Sequence, residues 1–241
     1  MPLEALAYPM REDIAATINL QFAETDAQSF VEHVLTEHGN VALVSSFGTE
    51  SIVLLDLVAR ADRNAPVLFL ETGMLFAQTL EYQQDVAEQL GLTNVKVVRP
   101  AAEDLKTKDP FGRLHMGDTD ACCDIRKVLP LERALTPYDG WITGRKRVHG
   151  GQRKQLDLAE VEGDRLKFNP LAHWSGDEVR GYIEAKGLPK HPLISQGYAS
   201  VGCAPCTSPT KAGEDPRAGR WRGQDKDECG IHFIDGKAVR A

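Results

Sequence analysis

The sequence has no excess of positive charge and no long apolar run, and each absence excludes a class of protein. Its 28 lysine and arginine residues stand against 35 aspartate and glutamate residues, which gives a formal net charge of −7. A chain with this balance has no general positive field that would attract nucleic acid or an anionic membrane. No stretch approaches the roughly 20 apolar residues that span a bilayer, and no signal-peptide pattern is present. We therefore expect a cytoplasmic protein that binds neither nucleic acid nor membrane.

The sequence also lacks repeats, low-complexity tracts and two common phosphate-binding motifs, Walker A and G-x-G-x-x-G. Ordinary kinase and dinucleotide chemistry therefore lose support. A chain of 241 residues is long enough to bury the core of one α/β domain. We predict a single domain over residues 1–241.

Apolar runs that alternate with helical patterns predict the fold. After a helical segment over about residues 1–38, short apolar runs indicate strands near 41–46, 67–70, 95–98, 141–143 and 165–168. Helical patterns lie at about 52–58, 76–90, 121–135 and 175–186. Such alternation is typical of an α/β fold with a mostly parallel sheet and helices on both faces. From residue 188 the composition indicates loops, and about 207–241 is expected to form a mobile C-terminal tail.

Three predicted strands end in turns that suit an anionic ligand. Ser46-Phe47-Gly48-Thr49-Glu50-Ser51 precedes a helix, whose free N–H groups and dipole favour phosphate. Leu70-Glu71-Thr72-Gly73 ends the next strand, at the sheet edge where open parallel sheets bind ligands. A later basic loop, 143–153, offers cations for sulfate or phosphate oxygens. Each could be an ordinary connection, but two such turns side by side describe a nucleotide crevice.

The five cysteines favour metal binding or thiol chemistry over a disulfide framework, because their number is odd and no export signal is present. Four of them form two pairs, Cys122-Cys123 and Cys203-Ala204-Pro205-Cys206. The usual zinc pairs are separated by two to four residues. Adjacent cysteines fit a 4Fe-4S cluster better, because they can bind different irons. The spacing therefore favours an iron–sulfur cluster, with zinc as the alternative.

The first cysteine pair is expected at the start of a helix. Asp118, Thr119 and Asp120 offer side chains that can cap it, and the positive helix end stabilises thiolates. Arg126 and Lys127, one turn further, would add positive charge near the metal centre or a bound anion. The alternative for these two cations is a solvated helix face.

Cys229 is a lone thiol near the end of the chain. His232, Arg217 and Arg220 would favour its thiolate form, while Glu228 would oppose it. The alternative is an unreactive thiol in a frayed tail.

Taken together, these motifs resemble the sulfonucleotide reductases. The resemblance extends from about residue 40 to the end, over segments 46–51, 70–73, 122–123, 143–153, 197–207, 213–221 and 228–232. It implies an adenine-nucleotide α-hydrolase-like (PP-loop) fold. Members with four cluster cysteines resemble reductases of adenosine 5′-phosphosulfate (APS) rather than of its 3′-phosphorylated form (PAPS). A reductase that accepts both substrates is the alternative.

The resemblance also implies a mechanism for an oxidoreductase of sulfate assimilation and cysteine biosynthesis. The Cys229 thiolate attacks the sulfur of APS, expels AMP and becomes an S-sulfocysteine. Thioredoxin or a similar dithiol then releases sulfite by thiol exchange. One 4Fe-4S cluster per subunit has a structural and electrostatic role, and we expect a homo-oligomer.

The resemblance assigns a role to each candidate residue. Cys229 is the nucleophile, and the cluster ligands are Cys122, Cys123, Cys203 and Cys206. The implied substrate contacts come from Ser46, Phe47, Gly48, Ser51, Glu71, Thr72, Gly73, Lys127, Gly144, Lys146, Arg147, Arg153, Arg217, Arg220 and His232. The chain departs from the family pattern at Glu71, where Asp is usual, and at Lys146 and Gly150, where Arg and Ser are typical.

Two other functions fit part of the pattern. An ATP-using PP-loop sulfur transferase that acts on RNA would share the phosphate loop, but the acidic chain has no basic, aromatic-rich stripe. A non-catalytic metal-binding module or redox sensor would explain the cysteines and leave the two turns without a purpose.

Overall fold

The computed structural model describes residues 8–149, 155–224, 226, 233–234 and 237–238. Arg153, Cys229 and His232, like Gly150, therefore lie outside the described residues. The helices are α1 (Tyr8–Gln21), α2 (Ala27–Glu37), α3 (Ser51–Ala61), α4 (Ala77–Leu90), α5 (Ala102–Lys108), α6 (Leu114–Gly117), α7 (Thr119–Cys123), α8 (Leu129–Leu135) and α9 (Gly176–Ala185). A π-helical segment, Asp124–Val128, joins α7 to α8, and short 3-10 turns cover Arg147–His149, Pro192–Gln196 and Ala204–Cys206.

Six strands form the main sheet in the order β3-β2-β1-β4-β6-β5. They are β1 (Val41–Ser45), β2 (Val67–Leu70), β3 (Val95–Val98), β4 (Gly140–Ile142), β5 (Ala159–Glu162) and β6 (Arg165–Phe168). All neighbouring pairs are parallel except β5 and β6, which form an antiparallel hairpin. The mostly parallel sheet predicted from the sequence is therefore confirmed.

Several elements differ from the sequence-based expectation, among them the short helices α5 and α6, which were not predicted. Strand β5 was not predicted, because its Ala-Glu-Val-Glu sequence carries two charged residues and little apolar pattern. It forms through its hairpin with β6, where Gly163 takes a positive φ of 64°. The tail expected to be loops contains a second short hairpin, β7 (Phe233–Ile234) with β8 (Lys237–Ala238).

Helices cover both faces of the sheet, as predicted. The larger core cluster packs α1, α2, α3 and α9 against one face. A smaller cluster on the other face joins Leu131, Leu135 and Tyr138 from the α8 region to Trp141 of β4. The central strands are buried on both faces, which explains why they read as continuous apolar runs. No helix among the described residues is long and apolar enough to cross a membrane.

This topology brings the connections after β1, β2 and β4 to one edge of the sheet. Each strand in this set is parallel to its neighbour, so their carboxyl ends point the same way. The β1 connection contains a strained residue: Phe47 has a φ of 49°, and its fully buried ring packs 5.1 Å from Phe69. The packing of Phe47 in the core therefore anchors the turn that leads into α3.

Candidate active site

A cavity of about 230 Å³, here called the edge cavity, opens at the carboxyl ends of β1, β2 and β4. Its walls come from the connections after these strands, from the 199–203 loop and from residues 216–221. The sequence-predicted residues that line it are Ser46, Gly48, Ser51, Thr72, Lys127, Gly144, Lys146, Cys203, Arg217 and Arg220. These residues are far apart in the chain and line one cavity in the fold. Their roles in binding substrate or cofactor stay predictions.

The connection after β1 forms one wall and is fastened to the 199–203 loop. The Gly48 N–H donates to Ser51 Oγ at 3.0 Å, and the Thr49 hydroxyl donates to the Ala199 carbonyl at 2.9 Å. A Cβ at Gly48 would lie only 3.3 Å from the Val201 carbonyl oxygen. Glycine therefore permits the close approach of the two backbones.

In the turn after β2, Glu71 and Gly73 bond to each other outside the cavity, whereas Thr72 lines it. Glu71 accepts from the Gly73 N–H at 2.6 Å and pairs with Arg99 at 3.0 Å, and neither Glu71 nor Gly73 is a lining residue. Thr72 lines the cavity, and its hydroxyl lies 3.3 Å from Cys203 Sγ. This turn therefore joins the cavity to the second cysteine pair.

The basic loop after β4 is largely paired with carboxylates. Lys146 Nζ lies 2.9 Å from Glu50 Oε2 with only 3% of its side chain exposed, whereas 33% of the Glu50 side chain is exposed. Arg145, which also lines the cavity, pairs with Glu160 at 3.1 Å. Glu50, a lining residue, is the one acidic side chain among the described residues of the cavity wall.

Arg147 belongs to the same loop but points elsewhere. Its Nε donates to the Leu156 carbonyl at 2.7 Å, and its Nη2 lies 3.6 Å from Asp157. It does not line the edge cavity. Phe47, buried in the core, does not line it either.

The four described cysteines form no disulfide and lie close together beside the edge cavity. Cys122, Cys123 and Cys203 are buried, and Cys206 is half-buried. Burial raises the pKa of Cys122, and the neighbouring Cys203 and Cys206 raise it further, while Arg126 opposes them. Burial and Cys203 likewise raise the pKa of Cys206. The two pairs predicted from the sequence therefore meet.

The first pair sits at a capped helix start, as expected. Asp118 is the N-cap of α7 and accepts from the Ala121 N–H at 2.8 Å.

Within the described parts of the chain, no group of three or more His, Cys, Asp or Glu side chains is placed to hold a metal ion.

Arg126 and Lys127 lie inward, so the alternative of a solvated helix face is wrong for both. They are 6% and 9% exposed, and both belong to the π-helical segment. Lys127 lines the edge cavity with its Nζ 4.0 Å from Cys123 Sγ. Arg126 instead donates to the Thr72 carbonyl at 2.9 Å and to Asp109 at 2.7 Å. Of these two adjacent residues, Lys127 therefore faces the cavity, while Arg126 connects neighbouring segments of the fold.

Residues 220–221 and Lys226 lie beside the two cysteine pairs. Arg220 Nη1 donates to the Val201 carbonyl at 3.3 Å, and its guanidinium lies 4.6 Å from the ring centre of the buried Trp221. The backbone N–H of Trp221 donates to the Cys206 carbonyl at 3.0 Å, and Trp221 has an unusual φ of 46°. Lys226 forms an ion pair with Asp120 of α7. The chain is therefore held against the cysteine helix three residues before Cys229.

Comparison with known proteins identifies the family. The model of the phosphoadenosine phosphosulfate reductase domain matches residues 40–209. The chain belongs to this family. It is similar to the adenosine 5′-phosphosulfate reductase of Chelativorans sp., with 45% identity over 229 residues, 93% of this chain and 94% of that one. It also resembles the phosphoadenosine 5′-phosphosulfate reductase of Gloeobacter violaceus, with 42% identity over 197 residues, 80% of this chain and 82% of that one.

Solved structures agree on the fold. The crystal structure of the phosphoadenylyl-sulfate (PAPS) reductase from Candida auris, a phosphate complex, matches with a TM-score of 0.70 and 24% identity, over 85% of this chain and 98% of that one. An FMN adenylyltransferase from Candida glabrata matches with a TM-score of 0.55 and 12% identity, over 85% and 75% of the two chains. The predicted family and PP-loop fold are therefore confirmed.

Sequence reasoning missed parts of the reductase-family site. Asp109, in a loop with no recognisable motif, was not a candidate, yet it pairs with buried Arg126. Thr143 and Ser200 line the edge cavity and were passed over as individual residues, although both lie in segments that carry the resemblance. Trp221 is adjacent to Arg220 and could have been found by that proximity.

Proposed function

We propose that the protein is an oxidoreductase that reduces APS to sulfite and AMP with electrons from a dithiol. The observation that carries this proposal is the position of Lys127. One buried ammonium lies both on the wall of a cavity at the carboxyl edge of the sheet, where open parallel sheets bind ligands, and against a thiol of the cysteine set. The family membership of the chain supports the same reaction.

The cavity suggests how the substrate lies. The nucleotide would occupy the side formed by the 46–51 turn, where backbone N–H groups open α3. The phosphosulfate would face Lys127, Arg217 and Arg220, which line the other side. Preorganised cations in a site with little water can stabilise charge that develops on a leaving group. Here the leaving group is the phosphate oxygen of AMP.

The reaction balances with thiols as the source of electrons. The Cys229 thiolate would attack the sulfur, the bond between sulfur and the bridging phosphate oxygen would break, and AMP would leave with that electron pair. A thiolate of thioredoxin or a similar dithiol would then attack Cys229 Sγ, expel sulfite and form a mixed disulfide. Its second thiol would resolve that disulfide, so the dithiol is oxidised while sulfate sulfur becomes sulfite.

The cysteine set supports a 4Fe-4S cluster as the cofactor. Cys122, Cys123, Cys203 and Cys206 would hold it, since they form no disulfide, lie close together and come from two closely spaced pairs. They do not form a compact single-ion site, and a cluster needs none because each thiolate binds a different iron. When bound, the cluster would cross-link the two segments and add local charge. Zinc fits this arrangement less well.

The wall near Lys146 supports APS as the preferred substrate. Lys146 is buried beneath the more exposed Glu50 carboxylate, so a ligand on this side meets an acidic group. Ribose hydroxyls can donate to a carboxylate, whereas an additional 3′-phosphate would be repelled by it. A reductase that uses both substrates remains the second candidate, because one similar relative carries the PAPS reductase name.

The cytoplasmic location and the homo-oligomer stay predictions.

A trapping experiment tests the nucleophile. Anaerobic wild-type protein incubated with APS and no reductant should gain one sulfonate group on the peptide that contains Cys229, as seen by mass spectrometry. The Cys229→Ser variant should lose this label and release no sulfite, but should still bind AMP and keep the cluster absorbance. A sulfonate on another cysteine, or sulfite release by Cys229→Ser, would contradict the assignment.

A further inference from the structure

We propose that Arg126 and Asp109 form a positioning pair that holds the two cysteine pairs at the separation at which the cluster is retained. The inference rests on the proposed 4Fe-4S cluster and concerns residues that do not line the edge cavity. A substrate bound in that cavity would not contact them, so their effect would reach the reaction through the cluster and its surroundings.

The guanidinium of Arg126 makes a buried, two-way connection. Its Nη1 donates to the Thr72 carbonyl at 2.9 Å and its Nη2 to Asp109 Oδ2 at 2.7 Å. The side chains of the ion pair are only 7% and 3% exposed. A buried pair of this kind is tolerated when its geometry is good, and removal of one partner leaves an uncompensated charge. The planar fork of arginine can serve both acceptors at once.

Thr72 continues the connection to the second cysteine pair. Its hydroxyl lies 3.3 Å from Cys203 Sγ. Two residues further along the turn, the Met74 carbonyl accepts a hydrogen bond from the Ala204 N–H at 2.8 Å. Leu75 also forms a β-bridge with Cys203. Arg126 follows Cys123 by three residues. It therefore links both cysteine pairs through a single residue, Thr72.

Asp109 fixes the same guanidinium from the other side. Its Oδ2 accepts from Arg126, while its Oδ1 accepts from the Leu114 N–H at 2.9 Å, at the start of α6. The segment from α6 leads directly to Asp118, which caps the cysteine helix. The pair thus ties the loop before the cysteine helix to the turn that contacts Cys203.

The close packing around Arg126 leaves little room for adjustment. Gly73 takes a φ of 73°, and a Cβ there would lie 3.3 Å from Arg126 Nη1. Arg126 and Lys127 are consecutive residues of a π-helical segment, a feature that often occurs at functional sites. This segment lets both cations point inward, one toward Thr72 and one toward the edge cavity.

The test compares cluster retention in wild type, Arg126→Lys and Asp109→Asn. Each protein is loaded anaerobically, and the iron and sulfide content, the visible circular dichroism of the cluster and the rate of iron loss to a chelator are measured. A lysine cannot reach both acceptors as arginine does, so Arg126→Lys should lose iron roughly tenfold faster or more, with an altered dichroism. Asp109→Asn should show the same change more weakly. The KM for APS of freshly loaded protein should change little.

Two controls separate positioning from general stability. Arg133→Lys makes the same substitution in a more exposed arginine–aspartate pair, with Asp104, on another helix. Val34→Ala weakens the fold at a fully buried core position on the other side of the sheet. Both should retain iron and show the wild-type dichroism.

The outcomes distinguish the two levels of the argument. Iron loss in Arg126→Lys and Asp109→Asn within twofold of wild type, or equally fast loss in Val34→Ala, would overturn the positioning role and leave the proposed reduction intact. A wild type that sulfonates Cys229 but binds no iron and sulfide would overturn the cluster and the positioning role together.

Discussion

The two cationic walls of the edge cavity are built differently. The basic loop after β4 carries Arg145 and Lys146 side by side, yet these pair with Glu160 and Glu50. Two further lining cations, Lys127 from the π-helical segment and Arg220 from the C-terminal region, contact a thiol and a backbone carbonyl. The comparison teaches that a dense run of positive charge in the sequence need not present that charge to a ligand. On the proposed mechanism, Lys127 and Arg220 are the cations that we expect to stabilise charge on the leaving AMP.

The largest effect is expected from Lys127→Gln. On the proposed mechanism Lys127 would stabilise charge on the leaving AMP, so loss of its ammonium should lower kcat/KM for APS by roughly 10²–10³-fold, the range seen when one preorganised donor is removed. The assay is sulfite release by protein with matched iron content. Lys96→Gln is the control, because Lys96 bonds the Tyr138 hydroxyl away from the cavity. A loss of less than threefold in Lys127→Gln would remove the contrast between the two walls.

An intermediate effect is expected from Glu50→Gln. The neutral amide should no longer repel a 3′-phosphate, so the ratio of kcat/KM for PAPS to that for APS should rise about tenfold, which corresponds to about 1.4 kcal/mol. Competition assays with both substrates measure this ratio. Glu160→Gln, which neutralises the partner of Arg145 and does not line the cavity, should leave the ratio closer to wild type. An unchanged ratio in Glu50→Gln would show that this carboxylate does not select the substrate.

The smallest effect is expected from Arg147→Gln. Its ion pair with Asp157 is partly exposed, with 41% and 60% of the side chains accessible, and such pairs contribute about 0–1 kcal/mol to stability. The KM for APS should rise about two- to threefold through loss of general attraction, with little change in Tm. Steady-state kinetics and thermal unfolding give both values. A loss approaching that of Lys127→Gln would place Arg147 at the substrate instead.

The sequence was sufficient to predict the features that local patterns specify. The apolar runs of β1 and β2 and the small-residue turns that follow them were readable because parallel strands are buried on both faces. Strand β3 was predicted as well, although it lies at the edge of the sheet and its residues are half-buried or exposed. The convergence of the two cysteine pairs followed from the family resemblance and from their spacing. These predictions depend on residues close together in the chain or on recognised motifs.

The pairings that give each charged residue its surroundings could not be predicted. Glu50 and Lys146 are far apart in the sequence and meet only because β1 and β4 are neighbours in the sheet. Asp109 pairs with Arg126, which lies in the π-helical segment, and no sequence pattern predicted that segment. Strand β5 depends on its hairpin partner more than on its own composition. In each case a tertiary contact, rather than a local preference, determines the outcome.

The most direct test of the account is the rate of sulfite release by anaerobically purified protein with reduced thioredoxin, measured with APS and with PAPS. The account predicts equal amounts of sulfite and AMP from APS, with a higher kcat/KM for APS than for PAPS. No sulfite from either substrate, with AMP and pyrophosphate formed from ATP, would contradict it.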